Sequence, residues 1–405
     1  MTARRSLTPT SSQGPSTFLD SGIVSSSTTD TDPWSVVFAP DSFKGSIPAD
    51  EVAHTLAEGW RRVRPADRLI LKPMADGGEG TVDAFEAAVA GARRIPITVP
   101  GPAGDDVETS WLLLPATEDT AGGTGVVELA NTSGIELLGS DRHPWTAHTR
   151  GFGRAIAAAL EHGVSRLVLG IGSSASTDAG IGMLTELGAR FTDVEGARVP
   201  DGAAGLARVA AADLTGLRPL PEAGVVVLCD VTNPLTGPAG AAPVFGPQKG
   251  LSASDIGEVD AALVRFAPFL PADPGRAGAG AAGGAGFALL AWGAPLVPGA
   301  VAVSDLIGLP AAIQAADLVI TGEGSFDGQS ASGKAPDLVT RIAAAANVPV
   351  GLVAGRIDRT AELGRFAATV SLTDLAGSSQ AAMASPAVWL DRAGRELARR
   401  MTTMQ

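Results

Sequence analysis

The run Ala39-Pro40-Asp41-Ser42-Phe43-Lys44-Gly45-Ser46 places a carboxylate, two hydroxyls and a primary amine on one short bend. An apolar stretch, Val36-Val37-Phe38, leads into it, and an amphipathic stretch follows. A strand ending in such a bend can aim backbone N–H groups, a hydroxyl and a cation at one anion. The chemistry indicated is phosphate or carboxylate binding. A lone lysine is often only a solvated surface residue. The place of Lys44 between Phe43 and Gly45, at a strand end, favours an anionic partner.

Related combinations recur along the chain. They are Met74-Ala75-Asp76-Gly77-Gly78-Glu79-Gly80, the stretch from Gly170 to Asp178, Cys229-Asp230-Val231-Thr232-Asn233-Pro234, and the stretch from Thr321 to Gly328. Each couples glycine or a small hydroxyl residue with a carboxylate. Glycines let backbone amides approach phosphate oxygens, and carboxylates can hold magnesium or accept a proton. Taken singly, an aspartate in a Gly-rich turn usually caps a helix or braces the turn. Five such bends, all at the ends of predicted strands, are harder to explain that way. Lys249, in Phe245-Gly246-Pro247-Gln248-Lys249-Gly250, and Lys334 resemble Lys44 more weakly.

Two familiar spacings come close. Gly328 to Ala335 has Walker A spacing, but Ala335 stands where the magnesium-binding Ser or Thr belongs and Pro336 follows at once. Gly170, Gly172 and Ala175 satisfy the looser dinucleotide fingerprint, with Asp193 near the expected distance. That leaves a dinucleotide-dependent oxidoreductase of a small hydroxy acid as one alternative, and a non-catalytic sugar-acid sensor as another. The four histidines, His54, His143, His148 and His162, have neither metal-ligand spacing nor a nucleophilic partner, so Ser–His hydrolysis is disfavoured.

The elements that must position these bends alternate. Strands are predicted at Ser35–Ala39, Leu69–Leu71, Arg166–Leu169, Val225–Leu228, Leu318–Thr321 and Val350–Val353. Helices are predicted at Pro48–Val63, with Pro48 as first helical residue, and at Thr81–Val89, Gly153–His162, Ala179–Gly188, Ser254–Ala267 and Pro336–Ala346. Strand–loop–helix alternation means an α/β fold with a largely parallel sheet, whose ligands bind at the strands' carboxyl ends.

Composition narrows the classes. The chain has 405 residues, net charge −13, one cysteine and no tyrosine. No basic run exceeds a pair of arginines, so nucleic acid is not an expected partner. Cys229 can form no intramolecular disulfide, which fits a cytoplasmic location. The uncharged stretch Ala277 to Val303 is long enough for a bilayer, but its Gly, Pro and small side chains argue against a span. Residues 1–33, rich in Ser, Thr and Pro, read as a disordered extension. Shifts in composition near 95 and 300 suggest residues 96–299 as an α/β domain inserted into an outer domain of 34–95 plus 300–405.

In order from about Val36 to Gly355, these motifs resemble the bacterial type I glycerate kinases. The resemblance rests on the Ala39–Ser46 block, Pro73–Thr81, Cys229–Leu235, Phe245–Gly250 and Thr321–Gln329. It implies a flavodoxin-like parallel-sheet outer domain, an inserted α/β domain, and an active site in the cleft between them. It further implies ATP- and Mg2+-dependent transfer of the γ-phosphoryl group to D-glycerate, giving 2-phosphoglycerate, by a monomer or homodimer. On that basis Lys44 and Asp178 are the expected catalytic residues. Ser42, Gly172, Ser173, Ser174, Lys249, Lys334 and Arg356 are expected to bind substrate or phosphate. Asp76 and Glu79, with Asp230 and Glu323 behind them, are expected to hold magnesium. The sequence departs from the family's pattern where Ser173 and Ala179 replace glycines. At positive φ each would cost about 1 kcal/mol.

Overall fold

The computed structural model describes residues 32–327 and 335–403. Among them are strands β1 (Ser35–Pro40), β2 (Arg68–Leu71), β3 (Arg93–Pro100), β4 (Asp106–Leu114), β5 (Thr124–Glu128), β6 (Arg166–Gly170) and β7 (Arg190–Thr192). There follow β8 (Ala211–Asp213), β9 (Val225–Leu228), β10 (Leu296–Val297), β11 (Leu318–Phe326), β12 (Val350–Ile357) and β13 (Ala368–Ser371).

The two ends of the described chain build one five-stranded sheet, ordered β13-β12-β11-β1-β2 and parallel throughout. Counted in chain order within that sheet, the arrangement is 2-1-3-4-5, the flavodoxin-like order. Its inner strand β1 is buried on both faces, which is why Val36, Val37 and Phe38 form an unbroken apolar run rather than an alternating one. The helix Ala49–Arg61 turns Val52, Leu56 and Trp60 into one core. Pro48 serves as its N-cap rather than its first residue, leaving Asp50 and Glu51 in the first turn. The C-terminal helix Pro386–Thr403 packs on the same core through Leu390 and Leu397.

The middle of the chain builds a six-stranded sheet, β10-β9-β6-β5-β4-β3. Strands β5, β6, β9 and β10 run parallel, while β4 runs against both its neighbours. A separate ribbon pairs β7 with β8. One apolar cluster joins the two sheets: Val37 and Val319 from the first meet Leu112, Val126, Val168 and Leu228 from the second, with Phe85 and Val303 from intervening helices. No helix among the described residues is long and apolar enough to cross a membrane. The stretch from Ala277 to Val303 holds the helix Ala285–Trp292, β10 and the start of the helix Gly299–Leu306.

Two strands run further than the sequence suggests. β11 continues to Phe326 and β12 to Ile357, held in register by the pair Ser325 and Arg356. Glu323 and Arg356 therefore stand on sheet rather than in loops. Glycine-rich sequence looks like a loop, but a paired parallel neighbour supplies the ladder that makes it strand.

Candidate active site

In a 2-1-3-4-5 sheet the connection reverses between the first and third strands, and the crevice beyond their carboxyl ends takes the ligand. Here those strands are β1 and β11. A cavity of about 900 Å³ opens at that point. Asp41, Ser42 and Lys44 enter it from the end of β1, Asp76 from beyond β2, Glu323 from β11, Arg356 from β12 and Thr373 from beyond β13. The other sheet contributes Cys229 and Asp230 from the end of β9, and Pro298 from the end of β10. The carboxyl ends of both sheets thus face one cleft.

The polar part of this cavity is a group of carboxylates around one amine. Lys44 Nζ lies 3.4 Å from Asp76 Oδ2. Asp76 holds the ammonium of Lys44 above the usual lysine range, although partial burial opposes it. Asp41 accepts the amide of Ser42 at 2.7 Å, and its own amide donates to Gly322 O at 2.8 Å, fixing the bend to β11. Burial, reinforced by the Asp76 charge, pushes the Asp41 carboxyl up to about 7. Asp230 accepts the amide of Gly299 at 2.7 Å, and burial again pushes its carboxyl up. The opposite part of the wall is apolar, with Leu372, Ala382, Met383 and Pro386.

A second cavity, of about 440 Å³, shares Asp76, Cys229 and Asp230 with the first. Gly172, Ser173, Ser174, Lys249 and Arg142 lie on its wall. Lys249 is only 3 % exposed and donates to Ser174 Oγ at 2.7 Å and to Ser176 O at 2.6 Å. Burial pushes its ammonium down to about 7, with the Asp178 charge acting the other way.

Several expected roles change. Asp178 is wholly buried and lines neither cavity. Its carboxylate accepts from the Thr149 amide and hydroxyl, the Ser176 hydroxyl, and the amides of Gly180 and Gly182. These five hydrogen bonds brace the loop after β6. Glu79 faces a different cavity and does not join Asp76. Gly172 does not offer its amide to a phosphate, because that amide donates to Gly77 O at 2.9 Å. A Cβ on Gly172 would come within 2.4 Å of Gly78 Cα, so the glycine exists to let the Asp76 loop pass. Asp193 accepts from Glu195, Ala197 and Arg208, closing its own turn rather than serving a dinucleotide. Lys334 and the rest of the Walker-spaced stretch up to it, residues 328–334, lie outside the described residues. Ser173 and Ala179 do adopt positive φ, 57° and 50°, a region that glycine enters without strain.

Sequence reasoning assigned no role to Asp41 or Arg142, which line the larger and the smaller cavity respectively. Asp41 sits within the opening motif, and its signal was adjacency to Ser42 at a strand end. Arg142 lies in a loop with no motif, and only folding brings it to the second cavity.

Among the described residues, no three His, Cys, Asp or Glu side chains form a ready-made metal cage. Magnesium needs no such cage, since it keeps water and phosphate ligands and takes one or two carboxylates. Asp76, whose charge raises the cost of ionising Asp230, lies with it on the shared edge of the cavities, and the two carboxylates fit such a cation.

The comparisons with known proteins agree with this geometry. The model of the glycerate kinase family matches residues 36–402. The chain belongs to the glycerate kinase family. It is a kinase. It is 41 % identical over 330 residues to the glycerate 2-kinase of Escherichia coli K12, covering 80 % of this chain and 85 % of that one. It is 38 % identical over 332 residues to the glycerate kinase of Bacillus subtilis 168, with the same coverage of 80 % and 85 %. A crystal structure from Salmonella typhimurium LT2, provisionally named glycerate kinase 2, superposes with a TM-score of 0.79 at 37 % identity, covering 92 % of this chain and all of that one. Family membership and the doubled strand-end cleft together remove the oxidoreductase and sensor alternatives.

Proposed function

We propose that this kinase transfers the γ-phosphoryl group of ATP to D-glycerate and releases 2-phosphoglycerate. The observation that carries the reading is the pair of cavities meeting at Asp76 and Asp230, with Lys44 beside the junction. Two substrates, one in each cavity, would meet at one charged edge. The larger cavity has an apolar wall suited to a purine and a polar wall suited to a triphosphate. The smaller suits a short acid.

Phosphoryl transfer depends chiefly on positioning and on charge stabilisation. Lys44 places its ammonium against the phosphoryl oxygens, where charge spreads in the transition state. A glycerate hydroxyl oxygen forms the new bond to phosphorus as the bond to the ADP oxygen breaks. Asp41, poised near neutral pH and open to the cavity, takes the hydroxyl proton. Asp76 and Asp230 would hold magnesium or its waters, where the ion would supply neutralisation of phosphate charge. Arg356 and Ser42 line the nucleotide side and hold phosphate oxygens there. The position phosphorylated follows the E. coli relative, whose name specifies the 2-position.

A coupled assay with ATP and D-glycerate tests the reading, with the product's phosphate position read by phosphorus NMR. ADP release dependent on D-glycerate and restored by Mg2+ after chelation is expected. Turnover without D-glycerate, or a 3-phosphate product, overturns the corresponding part.

A further inference from the structure

We propose that Arg142, which lines the smaller cavity together with Lys249, reads the carboxylate of the acceptor and so sets the enzyme's choice of hydroxy acids over neutral polyols. The inference deepens the proposed function and rests on it.

Arg142 lies in the loop after the short 3-10 turn Glu136–Leu138, outside every motif of the sequence. One edge of its guanidinium is fixed, since Nη1 donates to Ile135 O at 2.7 Å. That leaves further N–H donors of a planar fork available to a ligand. Among the described residues it makes no ion pair, unlike Arg94, Arg150 and Arg365, which each hold a carboxylate. A half-buried arginine left uncompensated on a cavity wall is costly unless an anion completes it.

Lys249 supplies the second half. Its ammonium has three donors, and two are taken by Ser174 Oγ and Ser176 O, leaving one. The backbone that carries Lys249 packs against Arg142, and both side chains line the cavity. A Cβ on Gly250, the residue after Lys249, would stand 2.8 Å from Arg142 Cβ. The cavity is therefore polarised. Its shared edge carries Asp76 and Asp230, which repel an acid, and the Arg142–Lys249 wall attracts one. Exposed Glu136 also lines the wall, where solvent screens it. A short hydroxy acid has one orientation that satisfies both ends: carboxylate on the cations, hydroxyl toward the edge where phosphate arrives. A neutral triol of the same length has no such preference.

The test is steady-state kinetics of Arg142→Gln and Arg142→Lys beside the wild type, with melting temperatures as a folding control. Loss of a charge-assisted fork raises KM for D-glycerate by about 10- to 100-fold in R142Q, with KM for ATP unchanged. R142K, which keeps charge but not the bidentate fork, should fall between. A folded R142Q with wild-type KM for D-glycerate overturns the assignment, as does an equal rise in KM for ATP. If R142Q melts early, R142K decides by the same two constants. A wild type inactive on D-glycerate overturns the proposed function itself, and this assignment with it.

Discussion

Lys44 Nζ and Asp76 Oδ2, 3.4 Å apart, tie the bend after β1 to the bend after β2 across the mouth of the larger cavity. The pair is well exposed, with Lys44 at 79 % and Asp76 at 39 %. An exposed ion pair adds little to stability. Its value must lie in holding an amine and a carboxylate ready for a ligand.

Lys44→Ala should therefore separate folding from activity. The melting temperature should stay near that of the wild type, while kcat falls by roughly 100- to 10,000-fold, as removal of a transition-state charge contact does. Calorimetry beside the coupled assay checks both, and a variant with unchanged kcat takes Lys44 out of the mechanism.

Asp41 predicts a pH dependence. As the proton acceptor it must be ionised, so kcat/KM should climb through about pH 7, where its carboxyl titrates. Stability should move the other way. From about pH 4 to 7 the folded protein keeps a proton that the unfolded chain has released, so this group's share of stability declines as pH rises through that window. Asp41→Asn should abolish the rising limb of the rate profile and flatten that part of the stability curve. A rate profile in the variant with the same limb assigns the titration to another group.

Gly299 fixes the position of Asp76. A Cβ there would stand 2.0 Å from Asp76 O, and the Gly299 amide is the donor that holds Asp230. Gly299→Ala should cost about 1–3 kcal/mol through overpacking. It should also depress kcat in the molecules that remain folded, because both carboxylates shift. Chemical denaturation and the assay at a permissive temperature measure the two effects, and full activity in G299A would show that the loop can move without consequence.

Ser173 carries backbone strain for no visible packing return. Its φ is 57° and its side chain is exposed. Ser173→Gly should raise stability by about 1 kcal/mol, since glycine adopts this region without a Cβ penalty. A melting curve unmoved or lowered would mean that the hydroxyl contributes something the backbone does not.

The sequence alone determined more of this protein's chemistry than of its geometry. Short apolar runs ending in Gly- and Asp-bearing bends identified β1, β2, β6, β9, β11 and β12, because a parallel strand in a covered sheet tends to be continuously apolar, while the antiparallel pair β3 and β4 escaped that pattern. Those bends also identified Lys44, Asp76 and Asp230, which do meet in one cleft. The motif from Asp41 to Ser46 and the family resemblance rested on local order along the chain, which sequence preserves. Tertiary structure alone decided which carboxylates line the cavities. Asp178 and Asp76 stand in similar Gly-rich bends, yet five donors from Thr149, Ser176, Gly180 and Gly182 close over Asp178, while Asp76 is left open to the cavity. Whether a carboxylate is saturated or available depends on amides and hydroxyls delivered from distant segments, and Thr149 is 29 residues from Asp178. The same holds for Arg142, which no spacing rule could place beside Lys249. Local sequence sets what a side chain can do, and the packing of remote segments sets what it is left able to reach.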